Sequence, residues 1–230
     1  MTKAEETLSR LKAILKNAGV GNQSSKPSLK TNAVLPKDID ELYQFIKKEF
    51  CVFHPNKDAD MVLPKRAGNY IFLLKKDVKL PIAGILNIPV VRTIEIHNQE
   101  YQIVYTGIAK DDLRQRVVGK HLKSGNSGRS TLRLSLGCLM GMMKIPRDKE
   151  FNSHYKFGEA DEIKLTKWMC DNMIVLYLAN EDFDCFEYSM IATLNPPLNL
   201  DKNHNNENMA FRDELKNLRS RNMNFKEIYE

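Results

Sequence analysis

Glu187 stands among apolar neighbours at helical spacing, with Phe183, Met190, Ile191 and Leu194 on the same face. Burying an unpaired carboxylate costs several kcal/mol or more, so such a group must be neutralised, paired or bound to a metal. One carboxylate on an otherwise apolar face suits a hard divalent cation completed by water and phosphate oxygens. A boundary position or a structural ion pair is the alternative.

Two tyrosines carry a second signal. Tyr70 begins one apolar run and Tyr105 ends another, with Gly68 before the first and Gly107 after the second. These glycines let backbone approach closely beside a phenol. A phenol near an activated water can accept its proton or orient it. Arg116 and His121 follow on the segment that leaves Gly107. A guanidinium suits a phosphate because it donates bidentately and keeps its charge. Further on, Arg129 and Arg133 stand four apart after Gly128. At a helix N-terminus the pair would make a second anion site.

The pattern of the chain predicts the elements that hold these groups. Residues 3–18 read as an amphipathic helix, 19–35 as a polar linker or arm, and 38–50 as a second helix with Ile39, Leu42, Phe45 and Ile46 inward. Asn69–Leu74 reads as a buried strand. Val90–Ile96 and Tyr101–Tyr105 alternate around a turn at HNQE and read as a hairpin. Helices are expected over 111–122, capped by Asp111 or Asp112, from about Ser130, and over 161–170. A strand at Met173–Leu178 precedes a helix capped by Asp182 or Asp184, which must stop before Pro196-Pro197. A last helix carries Phe211, Leu215 and Leu218. The class is α/β or α+β, with a small antiparallel sheet flanked by helices.

Bulk properties narrow the function. The 230 residues suffice for one sizeable core with additions. No apolar run reaches the roughly 18–20 residues that span a bilayer. The charged start, MTKAEETLSR, is unlike a secretory signal, so a soluble, cytoplasmic protein is expected. The four cysteines, Cys51, Cys138, Cys170 and Cys185, lack metal-site spacing and read as reduced core thiols. Residues 107–147 hold nine positive side chains against two acids, a local excess at least as large as the +6 of the whole chain. Clustered positive charge of this kind suits a phosphate backbone.

Taken in order, these residues resemble the GIY-YIG nuclease pattern. Gly68-Asn69-Tyr70 stands where the family has its first triad, and Tyr105-Thr106-Gly107 where it has its second. DDLRQRVVGKH resembles the family's arginine helix, and NSGRSTLRLSLG with LNPPLNL is similar to a bacterial branch of small members. The resemblance covers about 67–201. It implies a catalytic set of Tyr70, Tyr105, Arg116, His121, Glu187 and Asn199, with Arg114 as the alternative arginine. It implies Mg²⁺ or Mn²⁺ on Glu187, and phosphodiester hydrolysis with one of the two tyrosines helping the water. Arg114, Lys120, Lys123, Arg129 and Arg133 are the expected nucleic-acid contacts. The chain would then divide into a helical region with linker at 1–66, a nuclease domain at 67–201 and a helical extension at 202–230. The expected partner is DNA, double-stranded, and a palindromic target would call for a homodimer or sequential nicking. The alternatives are a nucleic-acid-binding protein that keeps the scaffold without cutting, and a module that meets an acidic partner.

Overall fold

The computed structural model describes residues 39–147 and 155–220. The helix expected over 3–18 and the polar stretch at 19–35 lie outside the described residues. Strands β1 (Cys51–Phe53), β2 (Gly68–Lys75), β3 (Thr93–Ile96) and β4 (Gln99–Ala109) join a later strand, β7 (Met173–Ala179), in one sheet. Its order is β1-β7-β2-β4-β3, and every pair is antiparallel. Between them, β5 (Lys144–Pro146) and β6 (Tyr155–Phe157) form a separate ribbon. The helices are α1 (Ile39–Glu49), α2 (Leu113–Arg116), α3 (Thr131–Leu139), α4 (Glu159–Asn172), α5 (Phe183–Leu194) and α6 (Met209–Ser220). Helix α2 runs on as a π-helical turn, Val117–Leu122. The architecture is the antiparallel α+β arrangement that the sequence pattern indicates.

Strand β2 is the middle of the sheet, and both of its faces are covered. Successive strand side chains point to opposite sides. Tyr70, Phe72 and Leu74 therefore enter one core, with Leu113, Val117, Leu132, Leu136, Leu165, Phe211 and Leu215. Ile71 and Leu73 enter the other, under Phe45 and Ile46 of α1 and Phe186, Met190 and Leu194 of α5. This double burial is why NYIFLL reads as a continuous apolar run. Helix α6 contributes Phe211, Leu215 and Leu218 to the larger core, so the C-terminal helix packs on the same body as the sheet. Strand β1, which the sequence did not indicate, has three residues, too few for a periodic signal. Its Phe53 is buried in that same core.

A β-bulge decides which way Tyr105 faces. Phe72 pairs with Tyr105, but Leu73 pairs with Ile103, leaving Val104 as the extra residue. Plain alternation would put Tyr101, Ile103 and Tyr105 on one face. Instead Tyr101 and Ile103 stay in the smaller core, while Tyr105 joins Tyr70 in the larger one.

Local chemistry sets the helix ends. Asp112 caps α2 by accepting from Gln115 N at 2.8 Å, and Ser130 caps α3 by accepting from Arg133 N at 3.1 Å. Helix α5 ends at Asn195 in the left-handed conformation, φ 46°, immediately before the two prolines. Met143 lies beyond the end of α3 and is exposed. The core-thiol reading applies to Cys138, whose thiol burial pushes up to about 11, and in part to Cys170. Cys51 and Cys185 are exposed, since one opens an edge strand and the other sits on the outward side of the first turn of α5. Among the described residues no helix is long and apolar enough to cross a membrane.

Candidate active site

The Tyr70 hydroxyl is the hub of a buried polar chain. It accepts from Arg116 Nε at 3.2 Å and meets His121 Nε2 at 2.7 Å. His121 Nδ1 continues to Ser130 Oγ at 2.7 Å, the same oxygen that caps α3. The π-helical turn brings His121 inward, and such turns recur at functional sites. The Tyr105 ring lies with its centroid 6.4 Å from that of Tyr70 and 5.9 Å from that of His121. Its hydroxyl meets Thr131 Oγ1 at 3.1 Å.

Gly107 faces Tyr70 across the β2–β4 ladder and leaves room for the phenol. A Cβ there would lie 2.5 Å from Tyr70 Oη and 2.6 Å from Cζ. Gly107→Ala is therefore expected to swing the ring off its partners. Misplacing a reacting group by about 1 Å can cost on the order of a hundredfold. Cleavage rates beside an unchanged circular-dichroism spectrum check this.

Electrostatics sort the groups. Burial raises Tyr70 well above the usual phenol range, Tyr105 adds to this, and Arg116 works against it. Burial likewise raises Tyr105. Burial opposes the charge on Arg116, but the two phenols outweigh it and leave the guanidinium more firmly protonated. His121 is pushed well below the usual imidazole range by burial and then by the charges of Arg116 and Arg133. It is neutral at pH 7. An unfolded histidine protonates near pH 6.5, so on acidification the unfolded chain takes up this proton first. His121 therefore contributes stability above about pH 6.5 that is lost as pH falls below it, by up to about 1.4 kcal/mol per pH unit. Denaturant unfolding from about pH 7 to about pH 5 should show this slope, and His121→Asn should flatten it.

Glu187 lies on α5 with 7% of its surface exposed, and its Oε2 accepts from Lys202 Nζ at 2.7 Å. Lys202 has left-handed backbone, φ 61°. Burial works to lower Lys202, and the Glu187 carboxylate prevails and raises it. The Glu187 charge also bears on both phenols, which joins it electrostatically to the tyrosine cluster. Two asparagines anchor α5. Asn69 Nδ2 donates to Phe183 O at 2.9 Å, and Asn180 Nδ2 donates to Asn69 Oδ1 at 3.1 Å. Asn199 grips the second triad. Its Oδ1 accepts from Thr106 N at 2.9 Å and its Nδ2 donates to Thr106 O at 2.8 Å.

The fold thus brings Tyr70, Tyr105, Arg116, His121 and Glu187 together, with Asn199 behind them. Arg114 is not among them. Its Nε and Nη2 donate to the carbonyls of Leu63 and Met61, which ties it to the preceding loop. Arg133 departs from the expected anion site. It is fully buried, pairs with Glu162 at 2.5 Å and donates to His121 O at 2.9 Å, so it braces the histidine and meets no surface phosphate. Arg129 precedes the cap and is exposed, so the two arginines part. Lys123 is exposed and Lys120 half-buried. The basic run of the sequence is accordingly not one surface. Ser130, Thr131, Lys202 and the Asn69–Asn180 anchor carry no signal in spacing, since each acts through a partner distant in the chain.

A family model for the GIY-YIG catalytic domain matches residues 68–221, well over half of the chain. The chain belongs to the GIY-YIG family, and its catalytic domain is that of a nuclease. Neither the curated proteins nor the solved structures gave a match.

Proposed function

We propose that the protein is a divalent-metal-dependent endonuclease that hydrolyses phosphodiester bonds of duplex DNA. The observation that carries the reading is the convergence of two phenols, one guanidinium, one neutral imidazole and one carboxylate on a single patch.

Among the described residues no group of three or more His, Cys, Asp or Glu side chains gathers to form a closed metal cage. The donor set still fits Mg²⁺ or Mn²⁺. Magnesium is commonly held by one or two carboxylates, with water and substrate phosphates completing its shell. Glu187 is such a carboxylate, and a cationic ammonium, that of Lys202, already lies against its Oε2. When bound there, the ion would neutralise charge at the phosphate and leaving oxygen.

The chain's own groups do the rest. Arg116 commits its Nε–H to Tyr70, and its remaining N–H fork suits the phosphate oxygens as charge grows on them. In one tautomer His121 offers its Nε2 lone pair to the Tyr70 hydroxyl and donates from Nδ1 to Ser130. Tyr70 then takes a proton from the attacking water as it passes its own to His121. Its raised pKa favours this concerted role over a standing phenolate. Tyr105, held by Thr131, orients the water or the phosphate from the side. Asn199 is a positioning residue, holding the Thr106 peptide between the second tyrosine and Gly107.

Incubating supercoiled plasmid with the purified full chain in Mg²⁺, Mn²⁺ or EDTA tests the reading. Nicking that needs the divalent ion supports it. Salt-sensitive DNA binding with no cleavage in any metal would favour a scaffold that holds DNA without cutting.

A further inference from the structure

A second feature of the molecule lies beside the tyrosine cluster. A cavity of about 720 Å³ opens between the start of α3, the β5–β6 ribbon and the end of α6. Among the described residues its walls carry four cationic side chains, Arg129, Arg147, Lys216 and Arg219, against one carboxylate, Asp201. Ser130 and Thr131 also line it, and these are the groups that hydrogen-bond His121 and Tyr105. The cavity therefore shares Ser130 and Thr131 as a wall with the reacting centre.

Arg219 is the cation set deepest. Burial lowers it, with Cys138, Asp201 and Tyr105 near enough to work against that. Its Nε is buried with no hydrogen-bond partner among the described residues. The first turn of α3 adds the positive end of its dipole on the same side.

We propose that this cavity is a second phosphate subsite, which holds the sugar–phosphate backbone of the DNA strand next to the phosphate being cut. The proposal rests on the DNA-cleaving reading above. It shares only Arg129 with the expected contacts Arg114, Lys120, Lys123, Arg129 and Arg133, and its cations come from three separate parts of the chain that converge only on folding. Helix α6 thereby becomes part of the DNA-holding surface.

The test is fluorescence-anisotropy binding of a labelled duplex by the full chain in EDTA, over a range of salt, so that no cleavage is needed. Arg129 and Lys216 are exposed, and an Arg129→Gln/Lys216→Gln variant is expected to fold normally. Arg219→Gln provides the second arm, and Lys164→Gln, exposed on α4, is the control. Each phosphate that is no longer neutralised lowers the slope of log K against log salt by about 0.9, so the slope should fall by about 1.8 in the double variant and by about 0.9 in Arg219→Gln. Each should bind at least about tenfold more weakly at fixed salt, with the control unchanged. Cleavage by these variants should show a raised KM with kcat retained. If both variants keep the wild-type affinity and slope while the wild type cuts, the subsite is overturned and the catalytic reading stands. If the wild type fails to bind the duplex even at low salt, both are overturned together.

Discussion

Glu187→Ala is expected to lower metal-dependent cleavage by about a thousandfold or more, since a catalytic cation supplies several kcal/mol and each 1.4 kcal/mol is tenfold. The fold should survive the change. The partner of Glu187 is Lys202, whose side chain is 47% exposed and can turn to solvent when the carboxylate is gone. An ion pair of that kind is worth on the order of 1 kcal/mol or less. Denaturation midpoints close to wild type, beside a collapsed single-turnover rate, would assign the loss to chemistry. A rate loss matched by unfolding would instead make Glu187 a structural residue.

Tyr70→Phe should cost about 10²- to 10⁴-fold, the usual contribution of positioned acid–base catalysis. Here stability should fall as well. The buried hydroxyl is the partner of both the fully buried His121 Nε2 and the half-buried Arg116 Nε. Leaving buried polar atoms without a partner costs about 1–3 kcal/mol. Tyr105→Phe removes the hydrogen bond to Thr131 and should be milder on both counts. Single-turnover rates and urea unfolding of the two variants decide the matter. A Tyr105 variant that is dead beside an active Tyr70 variant would exchange their roles.

The outline of this site was legible in the sequence because several of its residues break a local rule. Glu187 is a carboxylate within an apolar helical stripe, and Gly107 and Gly68 mark close backbone approach. Gly68 bears this out, since a Cβ there would lie 2.1 Å from Leu178 O. What the sequence could not show depends on distant partners. The pairing of Arg133 with Glu162 spans 29 positions, so the i, i+4 spacing with Arg129 suggested a shared surface where the fold makes a buried brace. The bulge at Val104 is another case. Nothing in IVYTG says that one extra residue turns Tyr105 toward Tyr70 rather than toward Ile103. Lys202 reaches Glu187 from a left-handed turn and Arg219 lines the neighbouring cavity from the last described helix, and neither has periodicity that points there. The coarse class was easier to read. Double-sided burial of β2 and the two prolines after α5 both leave plain marks in composition.

Under the proposed function, one buried carboxylate and one buried phenol, Glu187 and Tyr70, carry metal-dependent cleavage. The most direct measurement is single-turnover cleavage of a DNA duplex in Mg²⁺ by wild type, Glu187→Ala and Tyr70→Phe, purified alike, with EDTA blanks. The expected result is cleavage by the wild type that EDTA abolishes and that each substitution reduces by at least about a hundredfold. Equal cleavage by wild type and Glu187→Ala, or cleavage that persists in EDTA, would contradict the account.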